Sequence, residues 1–337
     1  MKVAVIGAGA IGGLVGARLA LAGEKVTFIV RGANLEAIRS RGIKLIAPDG
    51  SEQVADDVEA TNDYAAAGPQ DLVVLAMKAH QLEAIVADLP ALIAPGTVIV
   101  PMQNGIPYWY FHRHGGEYEG RPVLSVDSRG RLAESIPPAR VLGCVVYPAS
   151  ELLAPGVVKH VEGERFPLGE LDGSISERAQ RIAASFERAG FKAPLLANIR
   201  AEIWLKLWGN LTFNPISSLT HSTLLDICQH PEGRELAAGM MREAPAVANK
   251  LGIQFRVSLE ARIAGAEKVG HHKTSMLQDV ECGREPEIDA LVGSVVELAR
   301  LTETPTPRTD AVYALVKLLA STMGSRRGRV RMLEAAA

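Results

Sequence analysis

The chain has 337 residues, 47% of them hydrophobic and 22% charged, with a formal net charge of -2. That length suits two domains better than one core, and so small a charge excludes broad attraction to nucleic acid or to a membrane surface. Three cysteines, Cys144, Cys228 and Cys282, are odd in number and widely spaced; they form neither a metal-ligand cluster nor a disulfide framework, which points to a reducing cytoplasm.

At the N-terminus, Lys2, an apolar run and Ala20-Leu-Ala22 mimic a secretion signal. Gly7, Gly9, Gly12, Gly13 and Gly16 interrupt the run, Arg18 charges it, and a strand-like segment follows at 26–30. Secretion is therefore not expected, and no stretch of about 18 apolar residues offers a membrane span. Residues 2–6 read as a buried strand, 13–22 as a helix ended by Gly23, and 26–30 as a second strand. Between the first strand and the helix lies Gly7, Ala8, Gly9, Ala10, Ile11, Gly12. G-x-G-x-x-G alone is weak, but here it stands between a strand and a helix in a strand–helix–strand unit, the context of dinucleotide binding. The first glycine permits the tight turn, the second lets a pyrophosphate approach the main chain, and the third lets helix and strand pack closely. Free N–H groups at the helix start then face the pyrophosphate. An NAD site carries an acid at the end of the second strand; this chain has Arg31 there, a cation suited to the 2′-phosphate of NADP(H).

Residues 71–76 form a further buried strand running into Met77-Lys78-Ala-His-Gln81, and 97–100 form another that delivers Gln103-Asn104-Gly105. Ligands of open α/β sheets bind beyond the carboxyl ends of strands, so Lys78 and Gln81 fall where the cofactor should lie and Asn104 is a further candidate, although an isolated Asn-Gly would read as a turn. Residues 107–140, rich in Gly, Pro, Arg and aromatics, read as a long excursion: a lid, or an oligomer contact through Tyr108-Trp-Tyr-Phe111 that would make a homodimer, or core. His112 and His114 have no acidic or cysteine partner in phase, so no metal is expected. Segments 141–147, 156–161 and 165–170 read as sheet-edge strands continuing one sheet. A helix over 176–189 and a strand near 192–196 close a first domain of residues 1–197.

Beyond it the pattern is helical, giving a second domain of residues 198–325 and a basic, disordered tail at 326–337. Its first helix carries Glu202, Lys206, Asn210 and Asn214 at every fourth position. At about 100° per residue that step keeps all four on one side, with Trp204, Trp208 and Leu211 opposite as the core anchor. An exposed face would carry more i,i+4 charge pairs, whereas a lysine among carboxamides suits a proton donor beside a polar ligand. Further helices are expected over 232–251, 258–266, 287–301 and 310–321.

With these residues the chain resembles the ketopantoate (2-dehydropantoate 2-) reductase family along most of its length. The anchors are the glycine motif, Arg31, Met77-Lys-Ala-His-Gln81, Gln103-Asn-Gly105, the Lys206/Asn210/Asn214 helix, Ser275-Met-Leu-Gln-Asp279 and Glu287-Ile-Asp289. The resemblance implies an α/β Rossmann-type N-terminal domain and an all-α C-terminal domain like that of 6-phosphogluconate dehydrogenase, with substrate in the interdomain cleft. It implies NADPH-dependent reduction of 2-dehydropantoate to (R)-pantoate for pantothenate biosynthesis. Lys206 would be the general acid, and Glu287 would lie near the nicotinamide ribose and Lys206. Asn210, Asn214 and Ser275 would hold the small 2-oxo acid; Lys78, Asn104 and Ala149 would line the cofactor site, with Asn104 also reaching substrate. A further substrate-binding Asn of the family pattern falls at Leu224. Two other readings stay open: an NADP-dependent D-2-hydroxy-acid dehydrogenase for another branched 2-oxo acid, and an NADPH-binding sensor without turnover. Ser275 could instead cap a helix, and Glu287 serve as a first-turn acid.

Overall fold

The computed structural model describes residues 1–332. The chain divides into two units: Met1–Gln103, Tyr108–Pro122 and Asp127–Ile199 form the first, and Asn104–Pro107, Val123–Val126 and the chain from Arg200 form the second.

The first unit runs β1 (Lys2–Ile6), α1 (Ala10–Leu21), β2 (Lys25–Ile29), α2 (Ala33–Arg41), β3 (Ile43–Ile46), β4 (Glu52–Ala55), β5 (Val58–Thr61), α3 (Tyr64–Ala67), β6 (Gln70–Leu75) and β7 (Ile93–Pro101). It continues with α4 (Arg131–Ser135), β8 (Gly143–Cys144), β9 (Ala149–Ala154), β10 (Val157–Glu162), β11 (Leu168–Gly169) and α5 (Glu177–Arg188). Five strands make a parallel sheet in the order β5-β2-β1-β6-β7. Val3, Val5, Leu72, Val74, Val98 and Val100 are buried on it, as expected of a parallel sheet covered on both faces. The chain turns outward to β2 and returns to β6, so the order reverses between β1 and β6, the position at which such sheets bind ligands.

Residues expected to extend this sheet do something else. β9 and β10 pair antiparallel, β10 pairs parallel with β3, and β3 pairs with β4, giving a separate four-stranded sheet in the order β4-β3-β10-β9. β8 and β11 form a two-stranded sheet of their own. The strand expected near 192–196 amounts to isolated bridges, Arg165 to Lys192 and Leu168 to Leu195, because Pro194 has no N–H to continue a ladder.

The second sheet has a definite purpose: it covers α1. That helix has no polar face; Gly12 through Ala17 and Leu19 are all buried. A Cβ at Gly16 would strike the Phe28 ring on β2, and one at Gly13 would lie 2.5 Å from Val158 Cγ2 on β10 and 3.2 Å from Ile43 Cδ1 on β3. α1 is thus enclosed between two sheets, and its glycines, which weaken a helix by about 1 kcal/mol each, are what let both approach.

The 107–140 excursion consists of short turns and α4, whose N–H groups at Leu132 and Ala133 are bound by the Asp127 carboxylate at 3.1 and 2.9 Å. Tyr108, Trp109, Tyr110 and Phe111 are buried. Tyr108 Oη donates to the Ile136 carbonyl at 2.8 Å, and Tyr110 meets Phe111 edge-on at 5.0 Å. The aromatic cluster is core, not an exposed subunit contact.

The second unit contains α6 (Ile199–Thr220), α7 (Leu224–Gln229), α8 (Pro231–Lys250), α9 (Leu259–Val269), α10 (Ser275–Cys282), a π-helical turn (Asp289–Gly293), α11 (Ser294–Leu301) and α12 (Pro307–Arg326). α6 is anchored by Trp204, fully buried, and by Trp208, whose Nε1 donates to the Met241 carbonyl of α8 at 2.9 Å. Glu243 of α8 accepts from Arg308 N, Thr309 N and Thr309 Oγ1 at 3.0, 2.9 and 2.7 Å and so caps α12. Glu297 of α11 accepts from Leu124 N and Ser125 N, both at 2.7 Å. α12 continues to Arg326, Gly328 N bonds back to the Met323 carbonyl at 3.0 Å, and Val330 N reaches the Val280 carbonyl at 3.4 Å. The rest of the segment read as a basic tail, 333–337, lies outside the described residues. No helix among the described residues is long and apolar enough to cross a membrane.

Candidate active site

In the first unit, the parallel strands β1, β2, β6 and β7 all end on one edge, bringing Gly7, Arg31, Lys78 and Gln103 to it. Gly7 has φ +94° and closes the turn through Gly7 N to the Ile29 carbonyl, 3.1 Å. A Cβ at Gly12 would strike the Gly7 carbonyl and lie 2.7 Å from Ala76 Cβ, whereas one at Gly9 would meet nothing within 4 Å. The close approaches therefore belong to Gly7 and Gly12, and Gly9 faces open space where a phosphate can reach the main chain. Helix α1 starts at Ala10 with no side-chain cap and no acid in its first turn. Its first N–H groups and positive end are left for an anion.

Arg31 follows β2 and is exposed, and its guanidinium makes no hydrogen bond or ion pair among the described residues. It is near enough to Tyr64 to act on it: burial and then Asp88 push that phenol up to about 12, with Arg31 opposing. Lys78 stands just after β6, its N–H donating to Gln81 Oε1 at 3.2 Å. Ala149 opens β9 opposite Glu162 in the second sheet.

Two further side chains tie this edge together. Asn34, in the first turn of α2, donates from Nδ2 to the Ala8 carbonyl at 3.2 Å and accepts at Oδ1 from Gly156 N at 3.1 Å, tying the glycine turn to the β9–β10 connection. Gln103 donates from Nε2 to the carbonyls of Leu75 and Met77, both at 2.8 Å, joining the ends of β6 and β7. Only the position of Asn34 directly after Arg31-Gly-Ala could have drawn notice to it.

In the second unit the polar face of α6 is as the four-residue spacing requires. Lys206 Nζ donates to Asn104 Oδ1 at 2.7 Å, which joins two of the expected site residues. Asn104 Nδ2 and the carboxamides of Asn210 and Asn214 make no hydrogen bonds among the described residues. Asn214 is 5% exposed. A row of amides with no partner among the described residues, beside an ammonium, is well suited to a polar anion.

Ser275 is exposed at the first position of α10, but Thr274 performs the capping, accepting from Leu277 N at 3.2 Å. Its hydroxyl is thereby released, and it makes no hydrogen bond to Lys206, Asn210 or Asn214 among the described residues. Glu287 is half-buried just ahead of the π-helical turn, its carbonyl accepting from Leu291 N at 3.2 Å. Asp289, two residues on, is occupied structurally, bound by Tyr313 Oη at 2.7 Å and Lys317 Nζ at 2.8 Å. Leu224 begins α7, and Thr223 beside it caps that helix through Asp226 N at 3.3 Å.

A family model described as ketopantoate reductase PanE/ApbA matches residues 3–173, and one described as ketopantoate reductase PanE/ApbA C terminal matches residues 198–320. A 2-dehydropantoate 2-reductase of Mesorhizobium japonicum is 51% identical over 325 residues, which span 96% of this chain and 99% of that one. Among solved structures, a provisionally assigned ketopantoate reductase from Ralstonia solanacearum is 43% identical with a TM-score of 0.91, covering 96% of this chain and 98% of its own. The 2-dehydropantoate 2-reductase of Methylococcus capsulatus is 30% identical with a TM-score of 0.81 at the same coverages.

Proposed function

The chain belongs to the ketopantoate reductase family, and we propose that it reduces 2-dehydropantoate to (R)-pantoate with NADPH, the step that supplies pantoate for pantothenate biosynthesis. The observation that carries the reading is the Lys206 ammonium on Asn104 Oδ1 at 2.7 Å, on the same helix face as the unbonded carboxamides of Asn210 and Asn214.

The glycine turn and the uncapped start of α1 fit a pyrophosphate, and Arg31, with no acid in its place, fits a 2′-phosphate. When bound, NADPH supplies the hydride. The chain's own part is to hold the keto acid and move the proton. Asn210 and Asn214 donate to its carbonyl and carboxylate oxygens without adding charge, Ser275 serves a carboxylate or hydroxyl of the substrate, and Glu287 lies on the ribose side. Lys206 faces the ketone oxygen, stabilises negative charge as it develops there and delivers a proton from Nζ, leaving the alcohol. General acid catalysis of this kind contributes roughly 10²–10⁴-fold.

The test is NADPH oxidation by the purified protein against a panel of 2-oxo acids. 2-Dehydropantoate should be preferred, and Lys206→Ala should lower kcat by about 10²-fold or more while NADPH binding is little changed. A folded Lys206→Ala protein with near wild-type kcat would refute the assignment of the proton donor; preference for another acid would refute the substrate.

A further inference from the structure

Asn104 is held against Lys206 by a device in which none of the proposed reacting groups takes part. The helix leading into α11 widens to a π-helical turn over Asp289–Gly293. Such a turn takes one residue more than an α-turn, which shifts the carbonyls out of the usual register. Here the Ala290 carbonyl accepts from Ile106 N at 3.0 Å and from Ser294 Oγ at 2.7 Å. Between Ile106 and Asn104 sits Gly105, with φ +93°. A Cβ there would strike the Ala290 carbonyl and lie 3.0 Å from Leu291 N. Two separate constraints, the left-handed backbone and the close approach, thus demand glycine. The turn is braced from its other side, where Asp289 accepts from Tyr313 Oη at 2.7 Å and from Lys317 Nζ at 2.9 and 2.8 Å. Gly293 leaves room for this brace, since a Cβ there would come within 2.9 Å of Tyr313 Oη.

We propose that Gly105 and the π-helical turn beneath it are positioning elements for proton transfer, fixing the Asn104 carboxamide so that its Oδ1 orients the Lys206 ammonium. An ammonium on a four-carbon stem rotates freely unless one of its three donors is taken by a fixed acceptor. Asn104 is one such acceptor, and its backbone direction is dictated one residue later, where the main chain of Gly105 and Ile106 lies on the Ala290 carbonyl. The inference rests on Lys206 being the proton donor of the proposed reaction.

The experiment is a double-mutant cycle on the full chain. Gly105→Ala should lower kcat by about 10²-fold, the penalty of a misplacement near 1 Å. In an Asn104→Ala background the same substitution should change kcat less than about twofold, because the group it positions is already gone. Equal losses in both backgrounds would overturn the proposal, as would an unaffected kcat. Ser294→Ala removes a hydroxyl from the Ala290 carbonyl without a backbone clash and reads the same cycle should Gly105→Ala fail to fold. A crystal structure of Gly105→Ala gives a readout independent of substrate. The Lys206–Asn104 bond should be lost, and its retention at the original distance would overturn the proposal. Wild-type protein inactive on 2-dehydropantoate would instead refute the proposed reaction and leave that structural outcome to be read by itself.

Discussion

Arg31 stands exposed immediately beyond β2 without a hydrogen bond or ion pair among the described residues, so its charge is available to a ligand. Hydrogen bonds to charged groups contribute about 1.5–3 kcal/mol, which is roughly a 10- to 100-fold change in affinity. Arg31→Ala should therefore weaken NADPH by that factor and leave NADH nearly unchanged, and Arg31→Asp should favour NADH by repelling the 2′-phosphate. Titration of each variant with both cofactors by fluorescence decides it. Equal weakening of the two would remove Arg31 as the phosphate reader. Asn34 acts one step back: it holds the Ala8 carbonyl and Gly156 N and shapes the turn rather than offering a charge.

α1 shows what glycine spacing means at the level of an element. Gly13→Val would push a branched side chain into Val158 and Ile43, which a Cβ alone would already approach to 2.5 and 3.2 Å. Overpacking of this kind costs about 1–3 kcal/mol, so the urea midpoint should fall clearly. An unchanged midpoint would mean that the covering sheet can retreat. The β1–α1–β2 unit was legible because its strands are short continuous apolar runs and its turn needs glycines at fixed places. α5, α6, α8 and α12 were legible from their length and period. The segment from α2 to α3 was not: β3, β4 and β5 are four residues each, and β4 exposes three of its four, so no alternation stands out. β10 was legible as a strand but not by its partner, since pairing with β3 is decided by the glycine face of α1. Lys206, Asn210 and Asn214 could be read from spacing alone, whereas the bond from Lys206 to Asn104 could not, because it depends on the π-helical turn and the positive φ of Gly105.

At the scale of the whole chain, acid should act on the first unit through carboxylates held below their ordinary values, two of them buried. Burial pushes Glu170 up, but hydrogen bonds from Arg178 and Ser176 outweigh it and hold the group below its ordinary value of 4.5. Burial likewise opposes, and bonds from the N-terminal amine, Ser185 and Arg188 outweigh it, at Glu24. A depressed folded-state pKa contributes stability that is present above the ordinary value and is lost as pH falls through the folded one. The urea midpoint should thus drop on acidification below about 4.5; the drop should be smaller in Glu170→Gln, which begins from a lower midpoint at neutral pH. An identical pH dependence in that variant would show the Glu170–Arg178 pair to be inert. The enclosure of α1 also has a consequence for the order in which the protein is made. The glycine turn leaves the ribosome well before the wall of its helix, which comes from Val158, and Val157 pairs with Lys44 across the intervening chain. Contacts so distant in sequence close late. A nascent chain arrested before β10 should leave α1 open to protease, and α1 becomes native only once the β9–β10 hairpin has emerged.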